Sequence, residues 1–502
     1  MQQGISKPSL PFVPRHSRQD DGSDSPSGSS STQSNRCNFP QRYLVFIMLV
    51  LALGFGSALN NNLMILTIFQ NDTGKATYAC TVPERNLKNM TNSFLDISFD
   101  WDLNTEIIYI SCFYWTFPWS NLVMGYFSDQ FGGKYLIMVA IMGASVSSLF
   151  TPLIYKKTRP NYHPFFALRA FNGFCQGFLL PSLFSILVYW TPKNMRTTIV
   201  CIGLSTSSFG YMISTFVGVT LMWYSYEWTS IYYIFGSLGV IWCAVWHVFC
   251  YSRPYLHPFI TAREKRFLTE ELEDQLVFTQ KEVPWRSIIR SRPLWALLIN
   301  HVGIIWCTYT FGTRMPDYVN EVLKVSYELQ TYWGLIMVFS VFVATIIYGC
   351  FSDWLIAEKH INITVLRKYS IAFTTLGSVF FVMMFVFIAR CDRVKSDITL
   401  AVANAFINIH SANLMTNNME LAPNFAGIIT SLSTIFGTTV GISGALILQI
   451  STVNRTLEGW NIFFAVTAVI LFIGGSSYVY LGSGQVQFWN NLQERDSDTE
   501  SI

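Results

Sequence analysis

"GYFSD" at residues 125–129 returns as "GCFSD" at 349–353. Each copy closes a long apolar run, and a lysine follows each, Lys134 and Lys359. The apolar runs around the two copies decide whether the chain is built from two related halves. Its 502 residues are 51% hydrophobic and only 13% charged, with a mean hydropathy of +0.34. Ordinary globular chains carry ~25% charged residues, so a soluble enzyme is excluded and most of this chain belongs in lipid. A net charge of +3 gives no sign of a nucleic-acid partner. The ten cysteines show no CxxC spacing, so neither a zinc site nor a disulfide framework is indicated. No metal or cofactor is expected; only Cys80 and Cys391 fall in polar loops where they could pair.

A helix needs about 20 apolar residues to cross ~30 Å of hydrocarbon at ~1.5 Å per residue. Twelve windows qualify: 43–69, 107–127, 136–154, 165–190, 199–222, 229–250, 294–313, 331–351, 369–389, 398–418, 425–450 and 461–483. The first is too long and too far from the N-terminus to be a cleaved signal peptide. Residues 1–41 form a polar, Ser/Gly/Asp-rich cytoplasmic N-terminus expected to be disordered. Residues 42–250 make a first six-helix bundle, 251–293 a cytoplasmic connector, 294–483 a second bundle, and 484–502 an acidic cytoplasmic tail. In the connector, Thr261 and Glu264 fit a capping box at the start of a short amphipathic helix. With the N-terminus inside, 20 of the 33 Lys and Arg residues face the cytoplasm, 12 face outward, and Arg169 alone is left within a span. The glycosylation sequons at Asn71, Asn89 and Asn454 then lie outside, whereas the one at Asn362 lies inside and goes unused.

Both copies of the motif therefore sit at the cytoplasmic end of an even-numbered span, two and eight. A six-plus-six chain with one motif in matching positions is the pattern of two parallel repeats about an axis along the membrane normal. The fold class expected is an all-α membrane protein of twelve transmembrane helices, two six-helix pseudo-repeats. Gly125 and Gly349 allow a neighbouring helix to come close. Asp129 and Asp353 lie at the water boundary, where a carboxylate can meet a helix N-terminus or a basic side chain. Asp129, Lys134 and Asp353 are thus candidates for a gate on the cytoplasmic side.

Polar groups inside spans usually face a cavity or another helix, because lipid penalises them. Here they concentrate in every third span. Span one has Asn60, Asn61 and Asn62; span four has Arg169, Asn172 and Gln176; span seven has Asn300 and His301; span ten has Asn404, Asn408, His410 and Asn413. Asn121 and His247 are exceptions, and the interiors of spans three, five, eight and nine carry none. Helices one, four, seven and ten are therefore expected to line a central aqueous route. Arg169, Asn172 and Gln176 are spaced i, i+3, i+7 and share a helix face. A fixed guanidinium in the outer third of such a route attracts carboxylate or phosphate. The alternatives are interhelical hydrogen bonds for each asparagine, snorkelling for Arg169 and a structural role for His410.

Four stretches carry a resemblance, one to the major facilitator superfamily and three to its sialin-type anion:cation symporter family. "GYFSDQFGGK" (125–134) has the superfamily's loop motif, and "GFCQGFLLPSLFSILVYWTPKNMR" (173–196) resembles the family's span four and the turn after it. "VPWRSIIRSRPLWALLINH" (283–301) and "LAPNFAGI" (421–428) are similar to its span-seven and span-eleven approaches. The resemblance implies the major facilitator fold, in a chain embedded in the lipid bilayer. It also implies proton- or sodium-linked transport of small organic anions or phosphate by alternating access. Arg169 and Glu420 match family positions. Where the family has an arginine in span one this chain has Asn60, ahead of Asn62, and where it has an acid seven positions after Arg169 it has Gln176. The family's histidine and span-eleven asparagine are replaced by Phe184 and Thr434. Gln176 cannot titrate, so proton coupling is either lost or moved to His410. The expected substrate site is Arg169, Asn60, Asn62, Gln176 and Tyr309, with Glu420 and His410 joining the coupling and gating residues. An uncoupled facilitator, or a non-transporting sensor or scaffold of the same fold, is the alternative. Residues 1–36 lack an acidic dileucine signal, which favours the plasma membrane over lysosome or vesicle.

Overall fold

The computed structural model describes residues 40–68, 103–158, 161–224, 227–273, 275–276, 282–321, 327–387, 393–448 and 457–491. Among them every regular element is a helix. The first six spans are α1 (Gln41–Ile68), α2 (Leu103–Phe131), α3 (Lys134–Thr158), α4 (His163–Gln176) continued by α5 (Leu179–Trp190), α6 (Arg196–Trp223) and α7 (Thr229–Phe249). The connector holds α8 (Ala262–Leu272) and α9 (Trp285–Arg290). The second six are α10 (Arg292–Glu321), α11 (Tyr327–Lys359), α12 (Ile363–Phe387), α13 (Arg393–Leu421), α14 (Ala426–Leu448) and α15 (Leu457–Leu481). Among the described residues nine of these spans are long and apolar enough to cross a membrane, α4 and α5 counting as one. The other three, α2, α10 and α14, run 29, 30 and 23 residues in the remaining predicted places.

The helices outrun the apolar windows where charges begin. Span nine starts at Ile363 rather than at 369, which draws Arg367 into the helix. A helix continues while its backbone bonds close, and a charged side chain leaves those bonds intact and does not end it. Span four is broken because Pro181 has no N–H to give and crowds the carbonyl four residues back. The chain crosses the break by Gly177 N–H donating to the Gly173 carbonyl (3.1 Å) and Phe178 N–H to the Cys175 carbonyl (3.1 Å).

Packing repeats between the halves. Spans one and five, two and four, and three and six pair in the first (α1 with α6, α2 with α4, α3 with α7). Spans seven and eleven, eight and ten, and nine and twelve pair in the second (α10 with α14, α11 with α13, α12 with α15). The halves meet through equivalent pairs, α2 on α14 and α11 on α6. Each half has its own core, with Tyr232 and Trp246 in the first and Leu297, Trp460 and Phe463 in the second.

The two motif copies turn differently. After Asp129 the chain reverses at Gly132, whose φ of 90° suits glycine. The second copy lacks that glycine, so α11 runs on past Asp353 to Lys359. The reversal comes instead at His360, with φ of 49°, a left-handed conformation in which histidine is enriched. In the connector, Thr261 Oγ1 accepts from Glu264 N–H (3.2 Å), half of the expected capping box. The Glu264 carboxylate turns away and accepts from the Gln41 and Arg42 amides (3.0 Å each), capping α1. That contact, with Leu268 and Leu272 buried in the first core, makes α8 part of the first half.

Candidate functional site

Arg169 lies in the second turn of α4, 1% exposed, and does not snorkel to the interface. Its Nη1 donates to the Asn60 carbonyl of α1 (3.3 Å). The guanidinium carbon rests over Phe113 (4.9 Å) and Tyr109 (5.6 Å), both on α2. Among the described residues no carboxylate meets it, and its Nε is unpartnered. One turn on, Asn172 Oδ1 accepts from Gln176 Nε2 (3.0 Å), leaving Asn172 Nδ2 without a partner. Asn60 Oδ1 is likewise unpartnered. A buried positive charge, one spare donor and one spare acceptor thus gather where α1 meets α4. Each such atom left unmet costs about 1–3 kcal/mol, so the guanidinium and the Asn172 donor suit an anion that arrives and leaves, and the Asn60 acceptor suits a hydroxyl or amide N–H on the same molecule.

Gly173 and Gly177 bring α4 and α5 against α2. A side chain at Gly173 would strike the Phe113 carbonyl, and one at Gly177 would meet Ser120 and the Phe117 carbonyl. Small residues one helical turn apart let backbones approach, and here they fix the distance from Arg169 to its aromatic shelf. Tyr309 of α10 packs edge-on against Tyr114 of α2 at 5.7 Å, joining the two halves. The Asn62 side chain lies outside the described residues, as do Asn71, Asn89, Asn454, Cys80 and Cys391.

Two other polar groups inside the spans, Asn61 and His410, are held by neighbouring helices. Asn61 Nδ2 donates to the Tyr211 carbonyl (2.8 Å) and the Ser214 and Thr215 hydroxyls (2.6 Å each), tying α1 to α6. His410 is fully buried, with Nε2 against Asn300 Oδ1 (3.0 Å) and Nδ1 against the Thr374 and Thr375 hydroxyls (3.2 and 3.3 Å). An amide oxygen only accepts, so Nε2 carries the proton and Nδ1 accepts from a threonine. Both nitrogens are satisfied in the neutral ring, and α12 supplies two of the three contacts.

Asp129 and Asp353 each cap a helix of the opposite half. Asp129 accepts from the Gly427 and Ile428 amides (3.0 and 2.8 Å) at the start of α14. Asp353 accepts from the Thr197 and Thr198 amides (3.2 and 2.8 Å) at the start of α6. The first turn of a helix leaves its amides unpaired and carries partial positive charge, so a carboxylate there is a strong clasp. Gly125 and Gly349 make the approach possible: a Cβ on Gly125 would sit 2.8 Å from the Gly427 carbonyl, and one on Gly349 2.9 Å from Thr198 Cα. Lys134 is buried, its ammonium 3.6 Å from the centre of the Tyr251 ring and its backbone amide on Ser252 Oγ (2.9 Å).

One charge escaped the sequence reading, which left Arg169 alone within a span. Arg367 is fully buried in α12 and paired to Glu420 of α13 through Nη2 (2.7 Å) and Nε (2.9 Å). It also donates to Asn413 Oδ1 (3.0 Å) and, across the halves, to Thr197 Oγ1 (2.8 Å), the residue whose amide Asp353 holds. Glu420 therefore neutralises this guanidinium, in the half opposite the Arg169 site. The available signal was Arg367 following the second motif copy, as Lys134 follows the first, with a longer turn between.

A family model described as Major Facilitator Superfamily matches residues 46–447. Human sialin is 26% identical over 423 residues, covering 84% of this chain and 83% of that one. A protein named putative inorganic phosphate cotransporter from Drosophila ananassae is 25% identical over 407 residues, covering 80% and 83%. Among solved structures, the transporter FucP in its outward conformation matches with a TM-score of 0.53 and 14% identity, covering 87% of this chain and 99% of that one. That likeness agrees with twelve spans paired as described. The chain is a multi-pass membrane transporter of the major facilitator superfamily, and not an enzyme.

Proposed function

We propose that the protein moves small monovalent organic anions across the membrane by alternating access, with Arg169 as the fixed charge of the substrate site. The observation that supports this most is a guanidinium 1% exposed that no described carboxylate neutralises. Leaving a buried charge uncompensated costs several kcal/mol, which a bound anion would offset. A monoanion fits better than a dianion, because the site offers one cation and the neutral Asn60 and Asn172 beside it. Asn62 and Tyr309 remain candidates for shaping the site. Two of the relatives sharing about a quarter of the residues are named for inorganic phosphate cotransport and urate export, both anionic cargo. Asp129 and Asp353 hold the cytoplasmic side shut in this arrangement and release it when the two halves rock. The plasma membrane is the favoured destination, with Asn71, Asn89 and Asn454 as glycan acceptors on the outer face.

Uptake by proteoliposomes of sialate, glutamate, urate and phosphate tests the reading. Saturable uptake of at least one organic monoanion, competed by other carboxylates, is expected; a flux that ignores anions and follows a neutral or cationic solute removes it. Coupling is a separate question. Proton transfer needs a titratable group beside the substrate, and neither Gln176 nor the satisfied His410 ring provides one. Initial uptake is therefore expected to change less than two-fold when an inward proton gradient of one unit is imposed. A gradient-driven overshoot contradicts this; loss of that overshoot in His410→Ala would place the proton there, and a sodium-driven overshoot would name sodium as the coupling ion.

A further inference from the structure

After α15 the chain does not leave the protein. Gln487 N–H donates to the Leu421 carbonyl (3.0 Å) at the end of α13, and residues Phe488–Asn491 form a short 3-10 turn beneath the α13–α14 link. Trp489 is wholly buried, its ring 6.4 Å from that of Phe425 in that link. Asn490, 2% exposed, grips Asn424 twice: its Oδ1 accepts from the Asn424 amide (3.0 Å) and its carbonyl from Asn424 Nδ2 (3.0 Å). Its own Nδ2 then donates to the Gln275 carbonyl (3.1 Å). Gln275 follows α8 directly, and its neighbour Leu276 is buried in the first half's core. Trp489 belongs to the core of the second.

We infer that this C-terminal strap is a third cytoplasmic clasp between the halves, with Asn490 as its positioning residue. Two features separate it from ordinary packing. The link it grips, Pro423–Phe425, leads into the first turn of α14, whose amides Asp129 holds. Gripping Asn424 therefore sets where those amides stand for the carboxylate. The Asn490–Gln275 bond in turn crosses from one half to the other, so opening toward the cytoplasm breaks it. A neutral amide suits this role, since one uncharged hydrogen bond is weak enough to release during each cycle.

The inference rests on the two-half closure proposed above. Its test uses the full chain in membranes, in one form keeping only Cys201 and in another only Cys307. Cys201 is fully buried on α6 against Gly349 of α11, where the halves meet, and Cys307 is fully buried inside the second core. Asn490→Asp keeps the acceptor for the Asn424 amide but sets a carboxylate against the Gln275 carbonyl; Asn490→Ala removes all three contacts of the side chain, to the Asn424 amide, the Gln275 carbonyl and Asn491 Oδ1. Both are expected to speed alkylation of Cys201 by N-ethylmaleimide about five-fold, the factor one neutral hydrogen bond is worth, while Cys307 keeps its rate. Asp353→Asn opens the neighbouring clasp and should speed Cys201 as well. Cys201 accelerated by Asp353→Asn but unmoved by both Asn490 variants overturns the strap, as does Cys307 rising with Cys201. Cys201 unmoved by all three variants removes the closure reading itself.

Discussion

Replacing Arg169 with methionine abolishes saturable anion uptake without lowering the stability of the protein. Truncating one partner of a buried charged pair costs about 2–5 kcal/mol of binding, so affinity falls at least ~30-fold. Stability moves the other way from most core changes. Among the described residues the guanidinium is buried without a carboxylate, its Nε is unpartnered and one hydrogen bond, to Asn60, is lost. Removing an uncompensated charge is expected to raise the midpoint of thermal unfolding in detergent or leave it within ~2 °C of the parent. An uptake curve with unchanged half-saturation removes Arg169 from the substrate site. A large fall in the unfolding midpoint shows that its role is structural.

Glu420→Ala is the most damaging single change expected for the fold. Arg367 and Glu420 are 0% and 5% exposed at their side chains, 2.7 Å apart. Breaking such a pair strands a buried charge and costs about 3–5 kcal/mol. Removing both charges costs less than removing one, because well-packed apolar residues can replace a buried pair at little cost. Glu420→Ala should therefore show a steep loss of thermal stability, and Arg367→Met with Glu420→Met should recover more than half of it. The recovered protein is expected to transport abnormally, since Thr197 and Asn413 lose their guanidinium partner and the Asp353 clasp loses its neighbour. A double variant no more stable than Glu420→Ala would mean that the pair holds the fold by shape and not by charge.

These two arginines mark how far the sequence could be read. The twelve spans were legible because lipid forces long apolar runs, and the repeated Gly-x-Phe-Ser-Asp fixed the pairing of the halves. That Asp129 and Asp353 would meet a helix N-terminus was one of two options that chemistry left open, and both chose it. Arg169 stood out because it interrupts an apolar run from within. Arg367 did not, because it sits four residues into its helix beside Lys368, and a charge near a span end reads as the loop. Its partner Glu420 is 53 residues away in sequence, a separation at which no local pattern speaks. The polarity of spans seven and ten is read differently. His410 looks like a pathway residue by composition, yet Asn300 Oδ1 and two threonines of α12 satisfy it, while Asn300 Nδ2 and both ring nitrogens of His301 are buried without a partner. Hydropathy registers that a polar group is present, not which side of its helix holds the partner. The C-terminal strap was hidden for a similar reason. Its grip comes from asparagines and one tryptophan in a stretch that reads as the start of a polar tail.

Alternating access around Arg169 is tested most directly by a single cysteine at Asn60, the residue whose carbonyl holds the guanidinium. In a chain otherwise free of cysteine, Asn60→Cys is expected to react with a membrane-impermeant thiol reagent applied from either face. The transported anion should slow that reaction several-fold when Arg169 is present and not at all in Arg169→Met. Reaction from one face only, or protection by the anion that survives the loss of Arg169, would contradict the account.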